Sequence, residues 1–323
     1  LTQPILVQGA AGSGKTTIAL HRLSYFLYTM GEHFPAEKLM ILAPSKLFMD
    51  YIADVLPELG VSKICQTTYE EYVLRATSIK VKLKDSNLKL ASLTEQDQPD
   101  EMMLWQSQMK GSLFYKELID AYLKQYEKSV ADQFEDIFIE KYRIMHGSRL
   151  KKLFLHDFAY MPIEKRLERI KVILQSHVRQ KKKEILLMLN KKYDDALDRA
   201  LNGIRDAAKR KSEVTKFIDE RDRRIPLIER ESKTTASSYL RRFKKANIKK
   251  MYRSFVTNEN LINNHTQHWS AEQRLAFLRS NSVESWEVED LAPLYYMHAR
   301  LKGIPDEWKM RVVFIDEVQD YSI

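Results

Sequence analysis

Cysteine, glycine and long apolar runs are all scarce in this sequence, and each scarcity excludes something. Cys65 is the only cysteine among 323 residues. A lone thiol rules out an internal disulfide or a cysteine-rich metal site, and points to a reducing, cytoplasmic compartment. No apolar run approaches the ~20 residues of a membrane span and no signal-like segment opens the chain, so no membrane partner is expected. With 44% apolar and 30% charged residues, the chain is neither disordered nor fibrous. The eight histidines show no metal-ligand spacing, and Trp105, Trp269, Trp286 and Trp308 are scattered enough to read as core. At an average usage of about 7%, roughly 23 glycines would be expected. Nine are present, and Gly9, Gly12 and Gly14 fall within six residues. A cluster in so glycine-poor a chain marks a place where the backbone adopts what side chains forbid.

The length suggests about two domains. With Leu1 rather than Met in first place, the chain is expected to be a piece of a longer protein. Its net charge of +9 is unevenly spread. Residues 1–150 carry 17 basic and 19 acidic side chains, residues 151–250 carry 29 and 14, and residues 251–323 carry 7 and 11. The central stretch therefore holds the whole excess. That excess is either the solvated face of long helices or an electrostatic footprint for nucleic acid or another acidic surface.

Hydrophobic periodicity divides the chain into three parts. Pro4-Ile5-Leu6-Val7-Gln8 is an apolar run that ends in the glycine cluster and predicts a buried strand. A helix is expected from Thr16 to Met30, capped by Gly31, then a strand at Leu39–Ala43 and a helix capped by Ser45 running to about Leu56. A strand near Ile64 and a short helix complete a strand–helix alternation typical of an open parallel sheet. Residues 84–100 read as loop, Asp100 to Val130 as helical, and Phe134 to Met145 as either strand or helix. From Pro162 to about Arg224 apolar residues recur every three or four positions, which as one helix would span ~90 Å, and Gly203, the only interior glycine, offers a place for a break. Such a helix needs a partner along its stripe, part of which residues 234–256 would supply. The sheet pattern returns with a helix over Val288 to Leu301, closed by Gly303, and the apolar strand Val312–Ile315. The expected organisation is a sheet domain over 1–84 and 284–323, interrupted by a basic, mainly helical insertion over 85–283 with a long helical or coiled-coil arm.

Chemistry concentrates at two places. Gly9-Ala10-Ala11-Gly12-Ser13-Gly14-Lys15-Thr16, with Thr17 behind it, matches G-x-x-x-x-G-K-[ST] between a predicted strand and a predicted helix. Such a loop turns its N–H groups inward at a helix N-terminus and so cradles phosphates. Lys15 would reach the β- and γ-phosphates of ATP, and the Thr16 hydroxyl would ligate Mg²⁺. Asp316 and Glu317 close the apolar strand 312–315, at the sheet edge that the glycine-rich loop also faces. Asp316 would hold Mg²⁺ through water, and Glu317 would orient and deprotonate the attacking water. These residues together predict a P-loop NTPase of α/β class with a RecA-like parallel sheet.

The same residues carry a family resemblance. Gln8 to Thr17 with Ala19-Leu20-His21-Arg22 resembles motif I of the UvrD/Rep branch of superfamily 1 helicases, and Asp316-Glu317-Val318-Gln319-Asp320 resembles their motif II. Within that branch the chain is most similar to the HelD-like ATPases associated with bacterial RNA polymerase. That similarity rests on Leu56-Pro57-Glu58-Leu59-Gly60 followed by Gln66-Thr67-Thr68-Tyr69, on Glu289-Asp290-Leu291-Ala292-Pro293-Leu294, and on Asp320-Tyr321-Ser322. The resemblance implies an ATPase in which Gln319 senses the γ-phosphate, the insertion acts as an arm in the polymerase channel, and RNA polymerase is the partner. The glutamine motif would then lie upstream of Leu1, and motifs III to VI beyond Ile323. Pro44-Ser45-Lys46 stands where these helicases carry Thr-Asn-Lys, and Thr67 and Thr68 match their motif Ib loosely.

Two other readings share these motifs. A conventional UvrD-type DNA translocase would use the basic insertion to grip duplex DNA. A structural ATPase of the SMC or Rad50 kind would also separate its nucleotide motifs by a coiled coil, ending in a distal hinge. The acidic motif here continues as Val-Gln-Asp, and no Leu-Ser-Gly-Gly signature occurs.

Overall fold

The computed structural model describes residues 4–10, 12–30, 35–58, 63–84, 101–280 and 286–318. The expected cap at Gly31 and nearly all of the expected loop over 84–100 lie outside them. The fold is α/β, with a small three-strand parallel sheet and long helices, in two compact units. The first unit comprises residues 1–121, 248–299 and 304–323, and the second residues 122–247 and 300–303. The expected boundaries lay near 84 and 284, so the sheet unit gathers more helices than periodicity assigned to it.

In the sheet unit, α1 (Lys15–Met30), β1 (Leu39–Ala43), α2 (Lys46–Glu58), β2 (Cys65–Thr68) and α3 (Tyr69–Thr77) follow the expected alternation. Ser45 caps α2, its Oγ accepting from the Phe48 N–H at 3.3 Å, and Thr68 caps α3 in the same way from Glu71. The sheet order is β2-β1-β5, all parallel, with β5 at Val312–Ile315. β1 lies in the middle and is buried along its whole length, which explains its unbroken apolar run. Leu39 and Ile41 pack against Leu20 and Leu23 of α1 and Ile52 and Leu56 of α2. Each such side chain contributes roughly 1.5–3 kcal/mol on burial.

The strand expected over Pro4–Gln8 does not form. These residues carry no ladder, and Ile5, Leu6 and Val7 are 53%, 67% and 44% exposed. An apolar cleft of about 420 Å³, lined by Ile5, Val7, Ile18, Phe26, Val312 and Phe314, stands where a ladder would need contact. β5 is hydrogen-bonded to β1 alone, so the apolar run has no sheet neighbour among the described residues.

Within the sheet unit, the segments that follow α3 and precede residues 291–302 meet side by side. The Lys84 N–H donates to the Trp286 carbonyl at 2.8 Å, and Leu83 and Trp286 form a parallel bridge. Between them, α4 (Glu101–Lys110), the start of α5 (Leu113–Ala131), α9 (Ile248–Val256), α10 (Glu259–His265) and α11 (Ala271–Ser280) belong to the sheet unit. A buried polar cluster holds them to the returning chain. Asp290 accepts from Lys110 Nζ at 2.7 Å and from the Tyr252 hydroxyl at 2.8 Å, and the Tyr252 and Tyr115 hydroxyls lie 2.9 Å apart. Burial drives the Tyr252 phenol well above its ordinary pKa. A one-turn 3₁₀ segment, Val288–Asp290, then opens α12 (Leu291–Lys302), and Gly303 follows at φ +83°.

The second unit is a helical hairpin on a small base. Phe134 to Met145 resolves as an antiparallel hairpin, β3 (Ile137–Ile139) and β4 (Tyr142–Met145), turning at Glu140 with φ +51°. After α6 (Gly147–Lys152) and a π-helical turn at 153–157 come α7 (Ile163–Gly203) and α8 (Ala207–Leu240). The stretch expected to be helical from Pro162 to about Arg224 is therefore two helices, divided at the glycine that offered a break. It breaks after Gly203, and Asp206 starts the second by accepting from the Lys209 N–H at 2.9 Å. The partner of α7 is consequently residues 207–240, which takes in only the first part of the expected 234–256. Lys182–Glu229 and Tyr193–Arg224 are paired, which makes the two helices antiparallel. Only Ile204, Arg205 and Asp206 join them, so the self-paired rod ends in a turn and has no place for a hinge domain.

α8 also runs through Pro226, where a helix end was expected. Proline removes the bond that the Asp222 carbonyl would accept. Asp222 and Pro226 are exposed, so water can serve that carbonyl, while buried Arg224 and Ile228 hold the helix on either side. Arg224 donates to both oxygens of Glu140 and to the Tyr193 hydroxyl, and these bonds hold the Glu140 carboxyl below its usual range.

Candidate functional site

The glycine-rich loop and the acidic end of β5 meet at one edge of the sheet, although about 300 residues separate them in sequence. α1 begins at Lys15, directly after Gly12 and Gly14, which adopt φ +75° and +79°. Side chains at those two positions would be strained, and this accounts for two of the scarce glycines. At Gly9 a Cβ would lie 2.6 Å from Ser13 Oγ, so the third is demanded by close approach. The Ser13 N–H donates to the Ala10 carbonyl at 3.2 Å, and the Ile18 N–H to the Gly14 carbonyl at 2.9 Å. The loop thus passes straight into helix, and the first N–H groups of α1 have no partners within the helix.

Lys15 folds back over its own loop, with Nζ donating to the carbonyls of Gly9 at 2.8 Å and Ala10 at 2.9 Å. The Thr16 hydroxyl points the other way and donates to Asp316, 3.3 Å from Oδ1 and 3.1 Å from Oδ2. Asp316 is 7% exposed and is fixed by its own N–H, which donates to the Leu42 carbonyl of β1 at 3.1 Å. Thr17 is exposed on the next step of the helix. A hydroxyl and a carboxylate in direct contact are the hard oxygen donors a magnesium ion takes with water, so these residues suit that ion. Of the expected site residues, Gly9, Ala10, Gly12, Ser13, Gly14, Lys15, Thr16 and Asp316 are brought together. Ala11 and Gln319 lie outside the described residues.

Glu317 follows in the left-handed region, at φ +48°. For an ordinary side chain that conformation costs roughly 1–2 kcal/mol, and such strain gathers at functional positions. Glu317→Asn, which tolerates this region, is expected to raise stability by about 1 kcal/mol, as measured by urea unfolding. A loss of stability on that substitution would show that the backbone here is not strained. Cys65, at the start of β2, has its thiol pushed up by burial, which leaves it a poor nucleophile.

Motif spacing located the loop and the carboxylates, but not the direct contact between Thr16 and Asp316. The buried cluster of Lys110, Asp290, Tyr252 and Tyr115 also escaped notice. Its only sequence signal is a charged Lys110 at the end of a helix rich in apolar residues.

No protein-family model matches this chain, and no curated protein matches it either. Among the described residues, no helix is long and apolar enough to cross a membrane.

Proposed function

We propose that this chain is the ATP-binding and ATP-hydrolysing half of a helicase-like P-loop motor of the HelD type, with a RecA-like sheet, acting on bacterial RNA polymerase. The observation that carries the ATPase reading is the hydrogen bond from Thr16 to Asp316, at the mouth of a loop whose glycines take left-handed backbone. Two motifs that match independently in sequence would meet by chance only rarely. In this reading the phosphates of ATP lie over the loop N–H groups and the start of α1. Lys15 exchanges the carbonyls of Gly9 and Ala10 for the β- and γ-phosphate oxygens. Thr16 and, through water, Asp316 would hold Mg²⁺, which supplies charge neutralisation for the departing phosphates. Glu317 orients water in line with the γ-phosphorus and accepts its proton, so ATP and water become ADP and phosphate. Gln319 would report the state of the γ-phosphate, as the resemblance implies.

The polymerase partner rests on the resemblance of the segments at both ends of the chain, and on a rod that such a channel would admit. When the intact protein is captured from bacterial lysate, RNA polymerase subunits are expected to co-purify in stoichiometric amounts. No unwinding of a tailed DNA duplex is expected. Unwinding without polymerase capture would instead make the protein a conventional UvrD-type translocase.

A further inference from the structure

One edge of β5 is open. Among the described residues the strand is hydrogen-bonded to β1 alone. Backbone groups of a strand turn alternately toward its two neighbours. The Asp316 N–H donates to the Leu42 carbonyl of β1, so Val313 and Ile315 turn their N–H and C=O groups the other way. Natural sheets blunt such an edge with lysine, proline or a bulge. β5 reads Val312-Val313-Phe314-Ile315, pairs with β1 in unbroken register, and has none of these. Val313 and Ile315 are 44% and 41% exposed, and water alone faces their outer backbone groups among the described residues.

The apolar cleft of about 420 Å³ opens along this edge. Ile5 and Val7 line it from the N-terminal run, Ile18 and Phe26 from α1, and Val312 and Phe314 from β5. Ile5, Val7 and Ile18 are about half exposed, so a continuous apolar surface is left to water. Two guanidinium groups interrupt it, Arg22 of α1 and Arg311 at the start of β5, and no carboxylate lines the cleft. Arg22 makes no hydrogen bond or ion pair among the described residues.

We infer that the open edge of β5 is a docking slot for one extended strand of a partner polypeptide, apolar along its length and carrying an acidic residue beside Arg22 and Arg311. An extended peptide offers N–H and C=O groups at the spacing of the edge, which a lipid or a small apolar molecule does not. Covering the edge with anything else would bury the outer groups of Val313 and Ile315 unpaired, at a cost in free energy. The four residues of β5 span about 13 Å, so a strand of four or five residues matches the edge. Residues 4–8 are one wall of the slot and so are not its occupant. A second copy pairing edge to edge would drive its own sheet and helices against that wall, whereas a cleft of this size admits a single strand. Two cations without a carboxylate in the lining supply the charge complementarity that selects an acidic partner. Docking of this kind needs no nucleotide and stands apart from hydrolysis at the glycine-rich loop.

The test is fluorescence anisotropy of a labelled hexapeptide with the full 323-residue chain. The peptide opens with aspartate and continues in alternating valine and threonine. Saturable binding is expected below about 1 mM. Val313→Pro removes an outward N–H and spares the β1 ladder, as proline can on an edge strand. It should weaken binding about tenfold, the upper worth of one hydrogen bond. The same peptide N-methylated at every residue should not bind, which probes the backbone pairing without altering the protein should Val313→Pro melt early. Arg22→Gln should weaken the aspartate peptide about threefold and leave its asparagine counterpart unchanged. Equal effects on those two peptides would remove the acidic residue from the partner. Undiminished binding of the N-methylated peptide would overturn the slot. So would a native chain that does not saturate, or decanoate binding in the cleft more tightly than the peptide. A concentration-dependent dimer at sedimentation equilibrium that the peptide leaves intact would assign the edge to a second copy and overturn it as well.

Discussion

The full-length protein carrying Lys15→Ala is expected to lose ATP turnover by about 10²–10³-fold, the usual cost of deleting one preorganised charge that faces a reacting phosphate. Its thermal unfolding should be nearly unchanged. Lys15 spends its charge on two loop carbonyls, Gly9 and Ala10, at the protein surface. Water can take over those carbonyls when the ammonium is gone, so the fold loses little. The catalytic and structural effects of the substitution are therefore separable, which is rare for a residue so firmly bonded. Turnover by Lys15→Ala within a few-fold of the native rate would remove the ATPase reading altogether. Thr16→Ala supplies a second line of evidence. It removes a hydroxyl that donates to Asp316, so its effect should deepen as Mg²⁺ is lowered, whereas that of Lys15→Ala should not.

Local features of this fold were readable from sequence, and non-local ones were not. β1 announced itself as an unbroken apolar run, because a strand covered on both faces has no polar side to show, and β5 carries an equally apolar run although Val313 and Ile315 are 44% and 41% exposed. The glycine-rich loop was legible for a similar reason: its demands fall on the backbone, and only glycine answers them at φ +75° and +79°. Residues 4–8 carry the same apolar signature as β1 yet form no ladder, since a run of side chains cannot say whether a neighbouring strand is present. The break in the long helix was half visible. Gly203 alone is a weak stop, but Asp206 three residues later, followed by a helical stretch, is the pattern of one helix ending and another being capped. Pro226 misled in the other direction. A proline inside a helix costs about 3 kcal/mol in isolation, and here Arg224 and Ile228 hold the helix from both sides. The bond between Thr16 and Asp316 could be expected only by accepting that both motifs serve one ligand.

The largest effect on stability is expected at Asp290, where the chain returns from its long excursion. Lys110 and Asp290 are each 6% exposed at their side chains, 2.7 Å apart, and Asp290 also accepts from Tyr252 and from the Glu287 N–H. Removing one partner of such a pair strands the other charge in a poorly solvated place, at a cost of about 3–5 kcal/mol. Asp290→Ala should therefore unfold several degrees earlier, roughly 6–20 °C at the 2–4 °C per kcal/mol typical of larger domains. Glu287 lies 3.4 Å from the same ammonium and softens the loss without replacing the closer carboxylate. Lys110→Met should cost a comparable amount, because Asp290 would keep its hydroxyl and amide donors but lose its counter-charge. The double variant Asp290→Asn, Lys110→Met, set against the singles Asp290→Asn and Lys110→Met, is the informative one: with neither charge present, stability should recover relative to either single change. A double variant whose loss equals the sum of the two singles would show that the pair acts through packing and not through charge. The consequence for the motor is spatial. Lys110 of α4 and Tyr252 of α9 bind the returning segment through this cluster, beside the bond from Ser107 to Glu289, so a weakened cluster should loosen residues 286–290 first, while the Thr16–Asp316 contact at the far end of β5 persists. Amide hydrogen exchange on Asp290→Ala should then show faster exchange at Trp286 and Asp290 than in α1, and uniform acceleration across both would contradict that order.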